Sequence, residues 1–322
     1  MADTKIEWTD KTWNPTTGCD TVSDGCDNCY ARPLAKRLKA MELGRVAKGG
    51  LQLADAKYQT DGDPATSGPG FGFAEHATAL DAPLHWTKPA KVFVNSMSDL
   101  FHQDATPEFI SRVFAVMALT PQHTYQVLTK RAGKMRSLLN QNWFEPWVYA
   151  AMAERTGSCV INVRWPLPNV WLGTSVEDQK QADLRVPALL DTPAAVRFLS
   201  CEPLLGPVDL SRWTDAHFPW NYTEYGCECS CGAAIVDAQD RCSGARIAWV
   251  IVGGESGPGA RSMDLAWVEA LVTGCSAFGV PVHVKQLGSV WGLANDGGSK
   301  GGDWSRWPER LRVRQFPEVS GV

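Results

Sequence analysis

The sequence predicts an α/β protein with a parallel sheet, arranged as a partial or full TIM-like (β/α) barrel. Short apolar runs recur along the chain, most of them at the ~30-residue spacing of one βαβ unit. Helix-forming stretches lie between the runs, and every run ends in polar or ionisable residues. Polar ends on all strands favour a barrel, where the strand carboxyl ends share one face. In a doubly wound sheet such residues gather at one switch point.

Six apolar runs are predicted to be buried strands. They are rich in β-branched and aromatic residues and have the length of strands that are covered on both faces. They span residues 91–95, 125–128, 170–173, 196–200, 249–252 and 282–284, and a first strand is predicted near 12–17.

Helices are predicted between these strands. Thr106 followed by Pro107 is a helix start, because threonine caps the first turn and proline suits its first position. Asp264 is the second predicted cap, and further helices are expected over 32–43, 131–141 and 177–186. We expect one domain over 1–322, with an irregular excursion at 44–82 and a cysteine-rich insert at 211–247.

Composition excludes several classes of protein. The net charge of −4 rules out a polycation, so contact with nucleic acid would need a local basic patch. The chain contains no run of about 18 apolar residues, so no membrane span is predicted. The first residues lack the apolar core of a secretory signal, so we expect a cytoplasmic protein. In a reducing cytosol, the 10 cysteines indicate metal binding or catalysis rather than disulfides.

The most informative motif is a three-cysteine loop. Cys19, Cys26 and Cys29 are spaced Cys-x6-Cys-x2-Cys, with Gly18 and Gly25 on the loop. Thiolates suit zinc or iron–sulfur clusters. A closed zinc site needs four ligands, so zinc would require a distant fourth residue. Three local thiolates suit a 4Fe–4S cluster with one open iron that a small molecule chelates. Spacing alone leaves both metals open.

The chain resembles the phage-type three-cysteine-motif family of radical S-adenosylmethionine (SAM) proteins, and is distantly similar to spore photoproduct lyase. The resemblance covers almost the whole chain. It rests on the segments WTDKTWNPTTGC (8–19), GCDNCYA (25–31), FVNSMSDLFH (93–102), LTKR (128–131), LGTSVE (172–177), SCEPL (200–204) and VGGESG (252–257). Radical SAM enzymes carry Cys-x3-Cys-x2-Cys after the first strand of a partial barrel, whereas the first gap here has six residues.

The resemblance implies a 4Fe–4S cluster on the three cysteines and SAM on its open iron, cleaved on reduction to a 5′-deoxyadenosyl radical. It implies a lyase or transferase-like enzyme with an electron donor and DNA, RNA or a nucleotide-like molecule as partners. Lys130 would neutralise the SAM carboxylate, and the aromatic group near the third cysteine would be Tyr30. The other implied SAM contacts are Asn95, Ser96, Ser98 and Asp99 for the amino group, and Ser175 and Glu177 for the ribose.

Three residues at strand ends are candidate catalytic groups. Glu202 and Glu255 can bind substrate or relay a proton, or they can simply fix a loop. Cys201 can donate a hydrogen atom to a substrate radical, although a buried inert cysteine is more common. We expect the polar strand ends to form one pocket over the three-cysteine loop.

A second cysteine group lies in the insert. Cys227, Cys229, Cys231 and Cys242 can close a zinc tetrahedron, which we favour over a second iron–sulfur cluster or unliganded thiols.

Two functions of different classes follow. One is the radical SAM enzyme, and the other is a non-catalytic zinc or iron–sulfur protein that binds nucleic acid or acts as a scaffold. Basic runs at 32–45 and 130–136, and the Trp- and Arg-rich segment 304–314, can contact phosphate or can be solvated surface.

Overall fold

The computed structural model describes residues 4, 6–158, 163–214, 221–223, 226–228 and 246–318. Within these ranges the chain divides into two compact units, and each is described by itself. Residues 1–173 form most of the first unit and residues 174–320 form the second.

The described strands are short and apolar, as the sequence predicts. They are β1 (Lys11–Trp13), β2 (Thr16–Thr17), β3 (Ala74–Glu75), β4 (Lys91–Val94), β5 (Thr124–Thr129), β6 (Val170–Ser175), β7 (Val196–Cys201), β8 (Asn221–Thr223), β9 (Gly226–Glu228), β10 (Trp249–Gly253) and β11 (Val282–Gln286).

Seven strands form one sheet in the order β1-β4-β5-β6-β7-β10-β11. The pairings of β1 with β4, β4 with β5, β7 with β10 and β10 with β11 are all parallel. The order follows the chain, and β1 and β11 are at opposite ends of it, so a closed barrel is not formed by the described strands. The α/β class and the parallel sheet are therefore confirmed, in an arrangement consistent with a partial TIM-like fold.

Two small antiparallel pairs accompany this sheet. The predicted first strand is in fact two strands, because β2 leaves β1 and pairs with β3 through Thr17 and Ala74. In the second unit β8 pairs with β9, and Cys227 lies opposite Tyr222 in that register.

The helices are α1 (Ala31–Ala47), α2 (Ala77–Leu80), α3 (Pro107–Leu119), α4 (Ala132–Leu139), α5 (Phe144–Thr156), α6 (Gln179–Leu190), α7 (Ser211–Thr214), α8 (Leu265–Ala277) and α9 (Ser289–Ala294). None of the helices within the described ranges is long and apolar enough to cross a membrane.

Both predicted helix caps are confirmed. The Thr106 hydroxyl accepts a hydrogen bond from the Phe109 amide at 3.2 Å. The Asp264 carboxylate accepts one from the Ala266 amide at 2.9 Å. A side chain at this position satisfies a backbone donor that has no partner inside the helix.

Helix α5 was not predicted. Its segment is rich in Trp and Pro, and Pro146 is its third residue. Proline is tolerated there, because amides of the first turn have no carbonyl partner within the helix. Helix α1 also runs further than predicted and ends at Ala47.

Candidate functional site

The cysteine loop begins at a glycine that no other residue can replace without strain. Gly18 has a φ of +82°, and its amide donates to the Met97 carbonyl at 3.0 Å. A Cβ at this position would lie 2.0 Å from the carbonyl oxygen of Gly72. The Cys19 amide then donates to the Phe71 carbonyl at 3.2 Å. The loop is thereby attached to the end of β4 and to the 68–72 segment.

The three predicted cysteines lie in one region of the first unit. Cys19 and Cys29 are half-buried and pack against the small core of Ala31, Ala35, Phe71 and Met97. Cys26 ends a short 3-10 helix, and the Cys29 amide donates to its carbonyl at 3.2 Å. All three thiols are free of disulfides.

The thiols influence one another electrostatically. Burial raises the pKa of Cys19 to about 12, and the nearby Asp99 and Cys26 act in the same direction. Burial and the negative charge of Cys26 likewise raise the pKa of Cys29, although Lys130 opposes them. The three thiols therefore belong to one electrostatic environment at the start of α1.

The described residues hold no complete ligand set. No group of three or more His, Cys, Asp or Glu side chains within those ranges is arranged to bind a metal ion. The three cysteines therefore remain a predicted ligand set. Free thiols are ligands that zinc and iron–sulfur clusters both take, so this set of donors fits either.

A basic side chain that contacts one of these thiols was not among the predicted site residues. Arg131 Nη1 donates to Cys19 Sγ at 3.3 Å and to Asp99 Oδ2 at 3.0 Å. Its other terminal nitrogen donates to the Asp20 carbonyl at 3.3 Å. Its sequence signals were its place at the end of the LTKR segment (128–131) and in the basic run 130–136, which a solvated helix face would equally explain.

Asp99 organises this end of β4 and β5. It is buried, with 5% of its surface exposed. Its two oxygens accept hydrogen bonds from the Phe101 amide, the Thr129 hydroxyl, the Lys130 amide and the Arg131 guanidinium, at 2.7–3.1 Å. Its hydrogen-bonding capacity is therefore largely filled by the chain itself.

Asn95 is the most unusual residue at the end of β4. It has a φ of +62°, which a residue with a side chain seldom adopts. Its Oδ1 accepts a hydrogen bond from the Thr16 amide at 3.4 Å, while its buried Nδ2 has no partner. A strained residue with an unpaired buried donor is typical of functional positions.

Three further predicted SAM contacts lie around the same loop. The Tyr30 hydroxyl donates to the Ser96 carbonyl at 2.6 Å. The Ser98 hydroxyl donates to the Thr16 carbonyl at 2.9 Å, and Ser98 also forms a parallel bridge with Gly18.

Asp20, next to Cys19, is held by a separate network. Its Oδ2 lies 2.9 Å from Nε2 of His102, and Ser67 and Thr66 donate to its Oδ1. Although partial burial alone would raise the pKa of Asp20, these hydrogen bonds lower it below its usual value. Burial, with the charge of Arg131, lowers the pKa of His102.

In the second unit, Ser175 and Glu177 are brought together by an arginine. Arg185 Nη1 donates to the Ser175 carbonyl at 2.9 Å and to Glu177 Oε2 at 2.8 Å. Glu177 is only 1% exposed. An isolated buried charge is strongly unfavourable, and the ion pair with Arg185 offsets this cost for Glu177.

Glu202 forms an ion pair that crosses a neighbouring strand. Its Oε1 lies 2.9 Å from Lys285 Nζ, and the strand order places β10 between β7 and β11. The register shifts at this level, since Val252 pairs with Val284 but Gly253 pairs with Gln286. Lys285 is thus the extra residue of a β-bulge. A Cβ on Gly253 would lie 2.8 Å from Glu202 Oε1, so this glycine leaves room for the pair.

Glu255 is held by an ion pair, and Cys201 is buried. Arg261 donates to Glu255 Oε1 at 2.7 Å and, through Nε, to Oε2 at 3.0 Å. Cys201 is fully buried, and burial raises its pKa well above the usual value. Its thiol is therefore protonated at neutral pH.

The predicted site residues thus fall into two groups, one in each unit. The cysteines, Tyr30, the 95–99 segment and Lys130 belong to the first unit, and Ser175, Glu177, Cys201, Glu202 and Glu255 belong to the second. A single pocket shared by both groups stays a prediction. In the insert, Cys227 lies on β9, whereas Cys229, Cys231 and Cys242 lie outside the described residues.

The fold and this loop define an α/β protein with free cysteines beside the ends of parallel strands. The chain belongs to the family described as "Protein of unknown function (DUF5131)", whose model matches residues 3–306. Neither the curated proteins nor the solved structures gave a match.

Proposed function

We propose that this protein is a radical SAM-type iron–sulfur enzyme that acts on nucleic acid or a nucleotide-like substrate. The observation that carries the proposal is the cationic surroundings of the cysteine loop. Arg131 donates to Cys19, and the positive charge of Lys130 acts on Cys29. Cations beside thiols favour the thiolate form, which is the form that binds a metal, and here they oppose the rise in pKa that burial causes at Cys19 and Cys29.

Cys19, Cys26 and Cys29 would hold a 4Fe–4S cluster. When bound together, cluster and SAM supply a 5′-deoxyadenosyl radical on receiving an electron from a donor protein. Cys26 ends a short 3-10 helix that lies between the other two cysteines in the sequence. Coupling of metal binding to local folding is common in such sites.

Arg131 would stabilise the negative charge of the loop. Its guanidinium is held in place by Asp99, so its hydrogen bond to Cys19 is formed without reorganisation. Hydrogen bonds to ligating sulfurs are among the groups that set the potential of an iron–sulfur centre. Asp99 therefore acts as a positioning residue in this proposal.

SAM would bind at the end of β4. The unpaired Nδ2 of Asn95 supplies a donor for a carboxylate or ribose oxygen, and Lys130 supplies a cation for the carboxylate. Asp99 is a poorer partner for the SAM ammonium group than the sequence predicts, because the chain already donates four hydrogen bonds to it.

On the substrate side, Glu202 is the favoured acid or base. It pairs with a lysine across a bulge, and bulges commonly redirect side chains next to active sites. Glu177 and Glu255 are held by arginines and are better suited to fixing their loops.

The alternative is a non-catalytic metal-binding or scaffold protein. The arginine pairs of Glu177 and Glu255 favour it, because they account for these carboxylates without a substrate.

Anaerobic reconstitution with iron and sulfide tests the cluster. We expect about four irons per chain, a brown protein and absorption near ~400 nm. Replacing Cys19, Cys26 or Cys29 by Ala should abolish iron retention, since three ligands leave none to spare. Cys275→Ala, which removes a buried thiol on α8, is the matched control and should retain iron. Zinc at the three cysteines in place of iron would favour the alternative.

A further inference from the structure

Helix α1 is strongly basic in a protein that is acidic overall. Residues 31–48 contain six basic side chains and one acidic side chain, whereas the whole chain has a net charge of −4. The basic residues are Arg32, Lys36, Arg37, Lys39, Arg45 and Lys48. A charge of this kind, confined to one element, is what a protein of negative net charge needs to bind a polyanion.

The neighbouring acids do not neutralise the exposed side of this helix. Asp61 pairs with Lys39 at 2.6 Å. Glu42, the only acid on the helix, accepts hydrogen bonds from the Lys57 and Tyr58 amides at 3.0 and 2.9 Å. Within the described part of the chain, no acidic partner is found for Lys36, Arg37 or Lys48. Their charge is therefore uncompensated.

The exposed side of α1 also carries apolar surface. Ala31 and Ala35 are buried against Phe71 and Met97 and fix the inward side of the helix. Residues 30, 37, 41 and 48 recur at a spacing that places them on one face. On that face Tyr30 is 55% exposed and Met41 is 57% exposed. An aromatic ring and a thioether thus alternate with cations along about 25 Å of helix.

Tyr30 is fixed in place although its ring is exposed. Its hydroxyl donates to the Ser96 carbonyl at 2.6 Å, which anchors the tip of the side chain. A fixed, exposed aromatic ring loses little conformational entropy when a base stacks on it. Tyr30 directly follows Cys29, so this face of the helix begins at the cysteine loop.

We infer that the exposed side of α1 binds single-stranded nucleic acid, with Tyr30 stacked against a base and four exposed cations on phosphates. Arg37 and Lys48 lie on the face of Tyr30, and Lys36 and Arg45 lie on either side of that face. Exposed cations combined with a stacking ring are typical of single-strand binding. A strand along α1 would have one end at the cysteine loop. By naming the substrate class, this inference rests on the proposed function, but the binding itself needs neither cluster nor SAM.

The test is fluorescence anisotropy of the full-length protein with a fluorescein-labelled 15-nucleotide DNA strand. An RNA strand of the same sequence and a DNA duplex are measured in parallel. If four cations each neutralise one phosphate, the logarithm of the binding constant should fall against the logarithm of salt concentration with a slope of about −2.8. Lys36→Ala with Arg37→Ala should reduce this slope to about −1.4.

Tyr30→Leu separates stacking from charge. It should weaken binding about tenfold and leave the salt slope unchanged. The control removes two other exposed helical cations, Arg112 and Lys180, and Arg112→Ala with Lys180→Ala should bind like wild type. Thermal unfolding midpoints near the wild-type value show that each variant is folded.

Four results would overturn the inference. They are the absence of binding at 50 mM salt, an equal loss in the control variant, duplex binding as tight as single-strand binding, and equal competition by polyglutamate.

Assays of SAM cleavage keep the two proposals separate. Strand binding without formation of 5′-deoxyadenosine would contradict only the proposed enzyme activity. Formation of 5′-deoxyadenosine without strand binding would contradict only this inference. Comparison of the two labelled strands decides between DNA and RNA.

Discussion

One nitrogen of Arg131 is hydrogen-bonded to both Asp99 and Cys19, at 3.0 and 3.3 Å. Arg131 thereby links the buried carboxylate of Asp99, at the end of β4, to the first cysteine of the loop. Because Asp99 also accepts from the Thr129 hydroxyl, the position of the guanidinium is tied to β5 as well. The electrostatics of the loop therefore depend on a residue 112 positions away in the sequence.

The first prediction concerns this arginine. Arg131→Met should lower the free energy of unfolding by about 3 kcal/mol or more, because it leaves Asp99 buried without its cation. Arg131→Lys should have a smaller effect, since it keeps the charge but loses the paired geometry. Urea unfolding measures both. Arg112→Met, an exposed arginine on α3, is the control and should stay within about 0.5 kcal/mol of wild type. An Arg131→Met protein as stable as that control would contradict the account.

The second prediction compares two glycines of positive φ. Gly49 has a φ of +70°, and a Cβ added there would have no atom within 4 Å, whereas at Gly18 a Cβ would collide with Gly72. Gly49→Ala should reduce stability by about 1 kcal/mol through backbone strain alone. Gly18→Ala should reduce it by at least ~2 kcal/mol more, because backbone must move. Equal midpoints in urea would show that the loop is not held as described.

The third prediction separates strain from binding at Asn95. Asn95→Gly should stay within about 1 kcal/mol of wild type, since glycine adopts a φ of +62° without strain but removes the acceptor of the Thr16 amide. Asn95→Ala should be less stable than Asn95→Gly by about 1–2 kcal/mol. Both lose the free amide donor, so both should bind SAM about fivefold more weakly. Isothermal titration showing wild-type SAM affinity in both variants would exclude Asn95 as a SAM contact.

The fourth prediction is a pH dependence near the loop. Burial, with the positive charge of Lys57, lowers the pKa of His76 to about 4. The unfolded chain binds the proton at about pH 6.5, so the stabilising effect of neutral His76 is complete above that pH. It is lost as pH falls from about 6.5 toward 4, by roughly 1–2 kcal/mol once solvent screening is allowed for.

His76→Gln should flatten this part of the stability curve, measured as urea midpoints between pH 7 and 4. Its amide can still bond to the Thr17 hydroxyl, which lies 2.8 Å from Nε2 of His76. His85→Gln, at an exposed histidine, is the control and should follow the wild-type curve. A His76→Gln curve parallel to wild type would mean that protonation of His76 does not cause the loss of stability at low pH.

Much of the fold could be predicted because its signals are local. The composition of a run such as 170–173 is enough to predict a strand. Likewise, Thr106 caps a helix through a hydrogen bond to the amide three residues further along the chain. Helix α5 could not be predicted in this way. Its Pro146 interrupts a helical pattern in sequence, although it causes no conflict in the first turn.

The candidate site was less predictable because its partners are distant in sequence. Spacing brought out Cys19, Cys26 and Cys29, but nothing near Cys19 pointed to Arg131. Likewise, Glu202 stood out at a strand end, whereas its partner Lys285 depends on a bulge in another strand. Side-chain pairs of this kind are set by strand order and register, which a local pattern does not contain.

The most direct test of the central proposal is SAM cleavage by the reconstituted protein. The full chain, loaded anaerobically with iron and sulfide, is mixed with dithionite and SAM, and 5′-deoxyadenosine is measured by liquid chromatography. We predict formation of 5′-deoxyadenosine by wild type and by Cys275→Ala, and none by Cys26→Ala. A cluster-loaded wild-type protein that forms no 5′-deoxyadenosine and binds no SAM would contradict the proposal and leave the scaffold as the better account.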